Sequence, residues 1–114
     1  MFKKKKITTY LQNLQETDRS AFDLLLADYL DGSLKIQLQT LGIRKIEIHI
    51  DWLDDCKCID VQGKYQSYYL DLQIYPDEFI ISFDMDEPDE GHTHSLHDKN
   101  QVYRILSDTM KHLK

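Results

Sequence analysis

SYYLDLQIYPDEFIISFDMD, residues 67–86, reads as two β-strands folded back on a tight turn. Tyr68, Leu70, Leu72 and Ile74 alternate with Tyr69, Asp71, Gln73 and Tyr75. After Pro76-Asp77, Phe79, Ile81, Phe83 and Met85 alternate with Ile80, Ser82, Asp84 and Asp86. Strict period-two alternation belongs to a strand with one face buried and one face solvated. Pro76 supplies the fixed φ that a turn position favours.

Two further strands are expected upstream. Ile46, Ile48, Ile50 and Trp52 alternate with Glu47, His49 and Asp51, and Leu53-Asp54-Asp55 reads as a turn. A strand over 56–64 turns Ile59 and Val61 inward and Cys58, Asp60 and Gln62 outward, with Gln62-Gly63-Lys64 starting the next turn. Short turns join neighbouring strands antiparallel, so the four form a meander. Trp52 continues the apolar face of the first strand and is expected to pack in the core.

Helical spacing dominates the flanks. Ile7, Tyr10, Leu11 and Leu14 predict a helix over 5–15. Phe22, Leu25, Leu26, Tyr29 and Leu30 stripe a second one, capped by Thr17 or Asp18 and ended at Asp31-Gly32. Residues 33–42 fit either a strand (Leu34, Ile36, Leu38) or a helix (Leu34, Leu38, Leu41). The helix is favoured because Leu41-Gly42-Ile43 leads into alternation, as a helix-to-strand junction does. A last helix carries Val102, Ile105, Leu106, Met110 and Leu113, with Ser95 or Asp98 as cap.

The expected fold is therefore α+β, one domain over residues 1–114. Residues 1–6 form a basic frayed tail, 7–42 helices, 44–86 four strands, 87–96 an acidic and histidine-bearing loop, and 97–113 a helix. The helices cover one face of the sheet and leave the other open and acidic. At 41% apolar and 11% aromatic residues the chain can build a core. No run approaches the ~20 apolar residues of a membrane span. Cys56 and Cys58 lie two apart on one strand, where disulfide geometry is strained, so both are expected as free thiols. A cytoplasmic protein follows from these readings.

Charge supplies the functional clue. Residues 46–98 hold fourteen Asp/Glu against two Lys/Arg, a net −12, whereas both flanks are basic. Strand parity puts Glu47, His49, Asp51, Asp60, Asp71, Asp84 and Asp86 on the uncovered face with Tyr69, Tyr75 and Ile80. The cations there are Lys45 and Lys64, at the ends. Like charges on adjacent strands destabilise a sheet, so selection for stability alone would intersperse lysines. One-signed charge with tyrosines between suits docking of a basic partner protein. The expected partner-binding residues are Glu47, His49, Asp51, Asp60, Tyr69, Asp71, Tyr75, Asp84 and Asp86. A nucleic-acid binder needs a cationic footprint, which Lys3–Lys6 alone do not supply. A homodimer through a sheet edge or the helices is compatible with the sequence; face-to-face packing would bury unpaired charge.

His92-Thr93-His94-Ser95-Leu96-His97-Asp98 is the most enzyme-like string. It resembles the His-x-His-x-Asp-His string of metallo-β-lactamase-like hydrolases, over seven residues and with Leu96 where that family has Asp. The family's further ligands have no counterparts, so its activity is not carried over. A metal-dependent enzyme or metal-binding protein centred on Asp84, Asp86, His92, His94 and His97 is the alternative reading. An EF-hand loop beginning at Asp84 fails, because Asp89 stands where the sixth position needs Gly. No Gly-rich phosphate loop or nucleophile-elbow motif is present. The leading expectation is a non-enzymatic module with no cofactor. In size, charge and layout it resembles the small acidic immunity proteins that block nuclease-type toxins.

Overall fold

The structure, a computed structural model, describes residues 2–53, 55–85 and 91–113. It is α+β, with helices α1 (Phe2–Asn13), α2 (Ala21–Asp31), α3 (Ser33–Thr40) and α4 (Lys99–Lys111). Strands β1 (Arg44–Leu53), β2 (Cys56–Tyr65), β3 (Tyr68–Ile74), β4 (Glu78–Asp84) and β5 (His92–Ser95) form one antiparallel sheet in chain order. Among the described residues, no helix is long and apolar enough to cross a membrane.

The sheet has five strands where the sequence predicts four. β5 occupies part of the expected 87–96 loop and pairs Phe79 with His94 and Ile81 with His92. His-Thr-His-Ser has no apolar alternation, which hides it from pattern reading. Pairing satisfies backbone groups that an edge at β4 would leave open.

The helical half departs from expectation at its ends. α1 reaches back to Phe2 and takes in Lys3–Lys6, expected as a frayed tail. Lysine is a good helix former and no Gly or Pro interrupts the run. α2 is capped by Ser20 rather than Thr17 or Asp18, because a 3-10 turn occupies Glu16–Asp18. The Ser20 hydroxyl accepts from the Asp23 amide at 3.3 Å, and the Ser20 amide donates to Asp23 Oδ2 at 3.1 Å. This reciprocal box satisfies amide donors at the helix start. Gly32 closes α2 at φ 87°, a left-handed conformation that glycine adopts at little cost. α3 is the helix favoured for 33–42, and Asp98 is the cap of α4.

Burial follows the alternation with two departures: Met85, expected inward, is half exposed, and Cys58, expected outward, is buried. Ile59, Val61, Leu70, Leu72, Ile74, Phe79, Ile81 and Phe83 are buried. They form one hydrophobic cluster with Ile7, Leu11, Phe22, Leu25, Leu26, Leu34, Leu38, Val102, Leu106 and Met110 of the helices. The turn expected at Gln62-Gly63-Lys64 is displaced: Gly63 lies within β2 opposite Leu70, and the chain reverses at Gln66-Ser67. A Cβ on Gly63 would lie 2.6 Å from Ile43 Cγ2 and 3.1 Å from the Arg44 carbonyl oxygen. Glycine is there for close approach across the strand pair rather than for a turn. A register shift between Arg44 and Glu47 sets Arg44, not Lys45, opposite Lys64.

Candidate functional site

The register places the expected docking residues in rows on the face opposite the cluster. One row runs His49, Asp60, Gln73, Ile80, Thr93 across all five strands. Its neighbour runs Glu47, Gln62, Asp71, Ser82. Arg44, Lys64, Tyr69 and Asp84 form a third, and Asp51 stands opposite Cys58 in a fourth. Glu47, Asp51, Asp60, Asp71 and Asp84 are thus brought together, with Tyr69 and Tyr75. Asp86 lies outside the described residues.

A hydrogen-bonded line crosses this face. The Tyr75 hydroxyl donates to Gln73 Oε1 at 3.0 Å, and Gln73 Nε2 donates to Asp71 Oδ2 at 3.2 Å. Tyr75 also lies against the Cys58 thiol, whose pKa is raised by burial, an effect the Tyr75 hydrogen bond opposes. Cys58 is on this face as parity predicts, yet only 7% exposed, while Cys56 is exposed; both are free thiols. Gln73 was legible as an outward residue, but its linking role depends on side-chain contacts that parity does not report.

The line ends on a carboxyl pair. Asp60 and Asp71 are diagonal neighbours on β2 and β3, and each has a buried Oδ1 without a hydrogen-bond partner. Burial, then the adjoining Asp71 carboxyl, pushes the Asp60 pKa up to about 6, with His49 opposing. The face's cations do little for the pair. His49 Nε2 is 3.8 Å from Glu47 Oε2, and Lys64 Nζ sits 5.3 Å from the centre of the Tyr69 ring. Tyr69 remains 56% exposed.

The Asp60 shift carries a pH signature. Its folded pKa exceeds the ~3.9 of an unfolded aspartate, so the folded chain holds the proton more tightly. The stabilisation is complete below about pH 4 and is lost as pH rises through about 6. Asn at position 60 can donate to Asp71 at every pH. Asp60→Asn should therefore be more stable than the wild type at pH 7.5 by about 1 kcal/mol, a figure discounted for solvent screening at a part-exposed carboxyl. Urea unfolding at pH 4 and 7.5 measures it; a stability difference that does not change with pH contradicts the assignment.

Among the described residues, the alternative metal residues Asp84, His92, His94 and His97 do not share one face; Asp86 lies outside them. His92 and His94 pair with Ile81 and Phe79 and so lie on the helix side, whereas Asp84 pairs with Tyr69 on the polar side. The His94 ring stacks on Phe79 with centres 5.2 Å apart. His97 is exposed ahead of α4. Among the described residues, no group of three or more His, Cys, Asp or Glu could hold a metal ion.

At the β3–β4 turn the polar face opens into a cleft of about 660 Å³ lined by Cys56, Tyr75, Pro76, Asp77, Glu78 and Ile80, among others. Sequence reasoning placed a turn there but no cavity. Comparison with protein-family models, with curated proteins and with solved structures finds no match to this chain.

Proposed function

We propose that this chain is a non-enzymatic protein-binding module that docks a basic partner protein on the polar face of its sheet. An inhibitor of the immunity type, which neutralises a nuclease-type toxin, is the form of module this format suits best. The observation that carries the reading is the Asp60–Asp71 pair. Two carboxylate oxygens are buried without a donor on a face that also bears Glu47, Asp51 and Asp84. Buried acceptors without partners are costly, and a guanidinium or ammonium group from outside would supply the missing donors. Tyr69 and Tyr75 offer contact area at low entropic cost. The adjoining cleft, lined by Tyr75, Asp55, Asp77 and Glu78 and by Lys57, whose ammonium is drawn over the Tyr10 and Trp52 rings, suits a long cationic side chain.

Charge reversal tests it. A basic partner recovered at low salt and purified should associate with Asp60→Lys/Asp71→Lys at least about tenfold more slowly than with the wild type, and the gap should shrink at high salt. Stopped-flow association at two ionic strengths reads this, with circular dichroism confirming that the double variant is folded. An unchanged rate and affinity would remove the acidic face from the account.

A further inference from the structure

We infer that, in mildly acidic solution, Asp60 and Asp71 of the free protein hold one proton between them and release it when a cationic group seats on their face, so that docking is gated by pH. The inference rests on the docking role proposed above and concerns the regulation of that same face. Its basis is geometric. Diagonal neighbours on adjacent antiparallel strands are within reach of each other's side chains. The Oδ1 atoms of this pair are both buried and lack a hydrogen-bond partner. Gln73 cannot relieve both acids, because its amide is oriented by the Tyr75 hydroxyl on one side and Asp71 Oδ2 on the other. A carboxyl facing a carboxylate resolves the conflict with a single proton, as paired carboxylates do in general.

Charged and titratable groups of the described strands surround the pair. β1 presents Arg44, Glu47, His49 and Asp51; β2 presents Cys58 and Lys64; β3 presents Tyr69, and Tyr75 follows it; β4 presents Glu78 and Asp84. The cations among them are engaged elsewhere: Arg44 Nη2 donates to the Gln66 carbonyl at 3.1 Å, and Lys64 lies over the Tyr69 ring. Neutralisation therefore comes from a bound proton or from a visiting cation, and the two exclude each other. With the Asp60 carboxyl raised to about 6, a cation binding at pH 5 must first displace a proton, which weakens apparent affinity about tenfold relative to pH 7.5. His49 stands opposite Asp60, so the measurement belongs in a His49→Gln background.

Two measurements decide it. In the free protein, carbon-13 NMR of the aspartate carboxyls should show an Asp60 transition near pH 6 that perturbs the neighbouring Asp71 carboxyl carbon, the perturbation being lost in Asp60→Asn. An Asp60 transition near pH 4, or one that leaves the Asp71 carbon unmoved, would overturn the shared proton without touching the docking role. Calorimetric titration of the His49→Gln protein with a nona-arginine peptide, at matched ionic strength, should give binding about tenfold weaker at pH 5 than at pH 7.5. The same peptide on His49→Gln/Asp60→Asn should bind with little pH dependence. Equal affinity at both pH values overturns the gate and leaves docking standing. No binding at either pH overturns both.

Discussion

Trp52→Ala is expected to lower the free energy of unfolding by about 4 kcal/mol, the upper range for truncating a buried aromatic side chain. Trp52 is 5% exposed and is the single tryptophan of the chain. Its ring centre lies 4.9 Å from that of Tyr10 on α1 and 6.4 Å from that of Phe22 on α2. Lys57, its register partner on β2, places Nζ 4.9 Å from the indole and 5.1 Å from the Tyr10 ring. One side chain therefore ties two helices to the edge of the sheet. Alanine would leave a cavity where three elements meet and would strip Lys57 of one aromatic partner. Trp52→Phe keeps a ring in the site and should lose only about 1 to 2 kcal/mol. Urea denaturation followed by circular dichroism separates the two, since neither variant keeps the indole as a fluorescent reporter. Equal losses for alanine and phenylalanine would show that ring packing is not what holds the helices there.

Asp28→Ala should cost about 3 kcal/mol, because it leaves a half-buried ammonium and a phenol without their acceptor. Asp28 lies on α2 among buried leucines, with its side chain 13% exposed. Lys99 Nζ, 33% exposed at the start of α4, donates to Oδ1 at 3.2 Å and to Oδ2 at 3.1 Å. The Tyr103 hydroxyl donates to Oδ2 at 3.3 Å, and burial followed by the Asp28 charge raises its pKa strongly. The carboxylate joins α2 to α4 across the helical layer. Asp28→Ala/Lys99→Met should recover part of the loss, since apolar groups in place of a buried ion pair are often neutral. A thermal or urea denaturation cycle over the four proteins gives the coupling. Strict additivity would mean that the pair does not act as a unit.

The polar face was legible in the sequence to a substantial degree. Alternation alone assigned Glu47, His49, Asp51, Asp60, Tyr69, Asp71 and Asp84 to one side of the sheet, and the register agrees. It did not report that Asp60 and Asp71 meet. That depends on which residue stands opposite which, and a pattern of period two is the same for every register that differs by two. Nor did it show Cys58 buried on the nominally solvated side, because Tyr75, seventeen positions on, covers it. Gly63 read as a turn because glycine in isolation signals a reversal; its actual reason is the passage of Ile43 within 2.6 Å of the space a Cβ would take. The histidine string read as a possible ligand set because spacing says nothing of which face a strand turns toward.

Side-chain direction along a strand or helix is a local property of the backbone, so the chain by itself determined the α+β class, four of the five strands and the buried stripes. The tertiary structure decided what local geometry cannot carry. It added β5, whose polar residues are recruited by an edge that needs partners. It joined Asp28 to Lys99 across 71 residues. It set Asp60 beside Asp71, where burial and proximity together change the chemistry of a carboxyl group. Each of these depends on distance through space and on exclusion of water, neither of which is written in the order of residues along the chain.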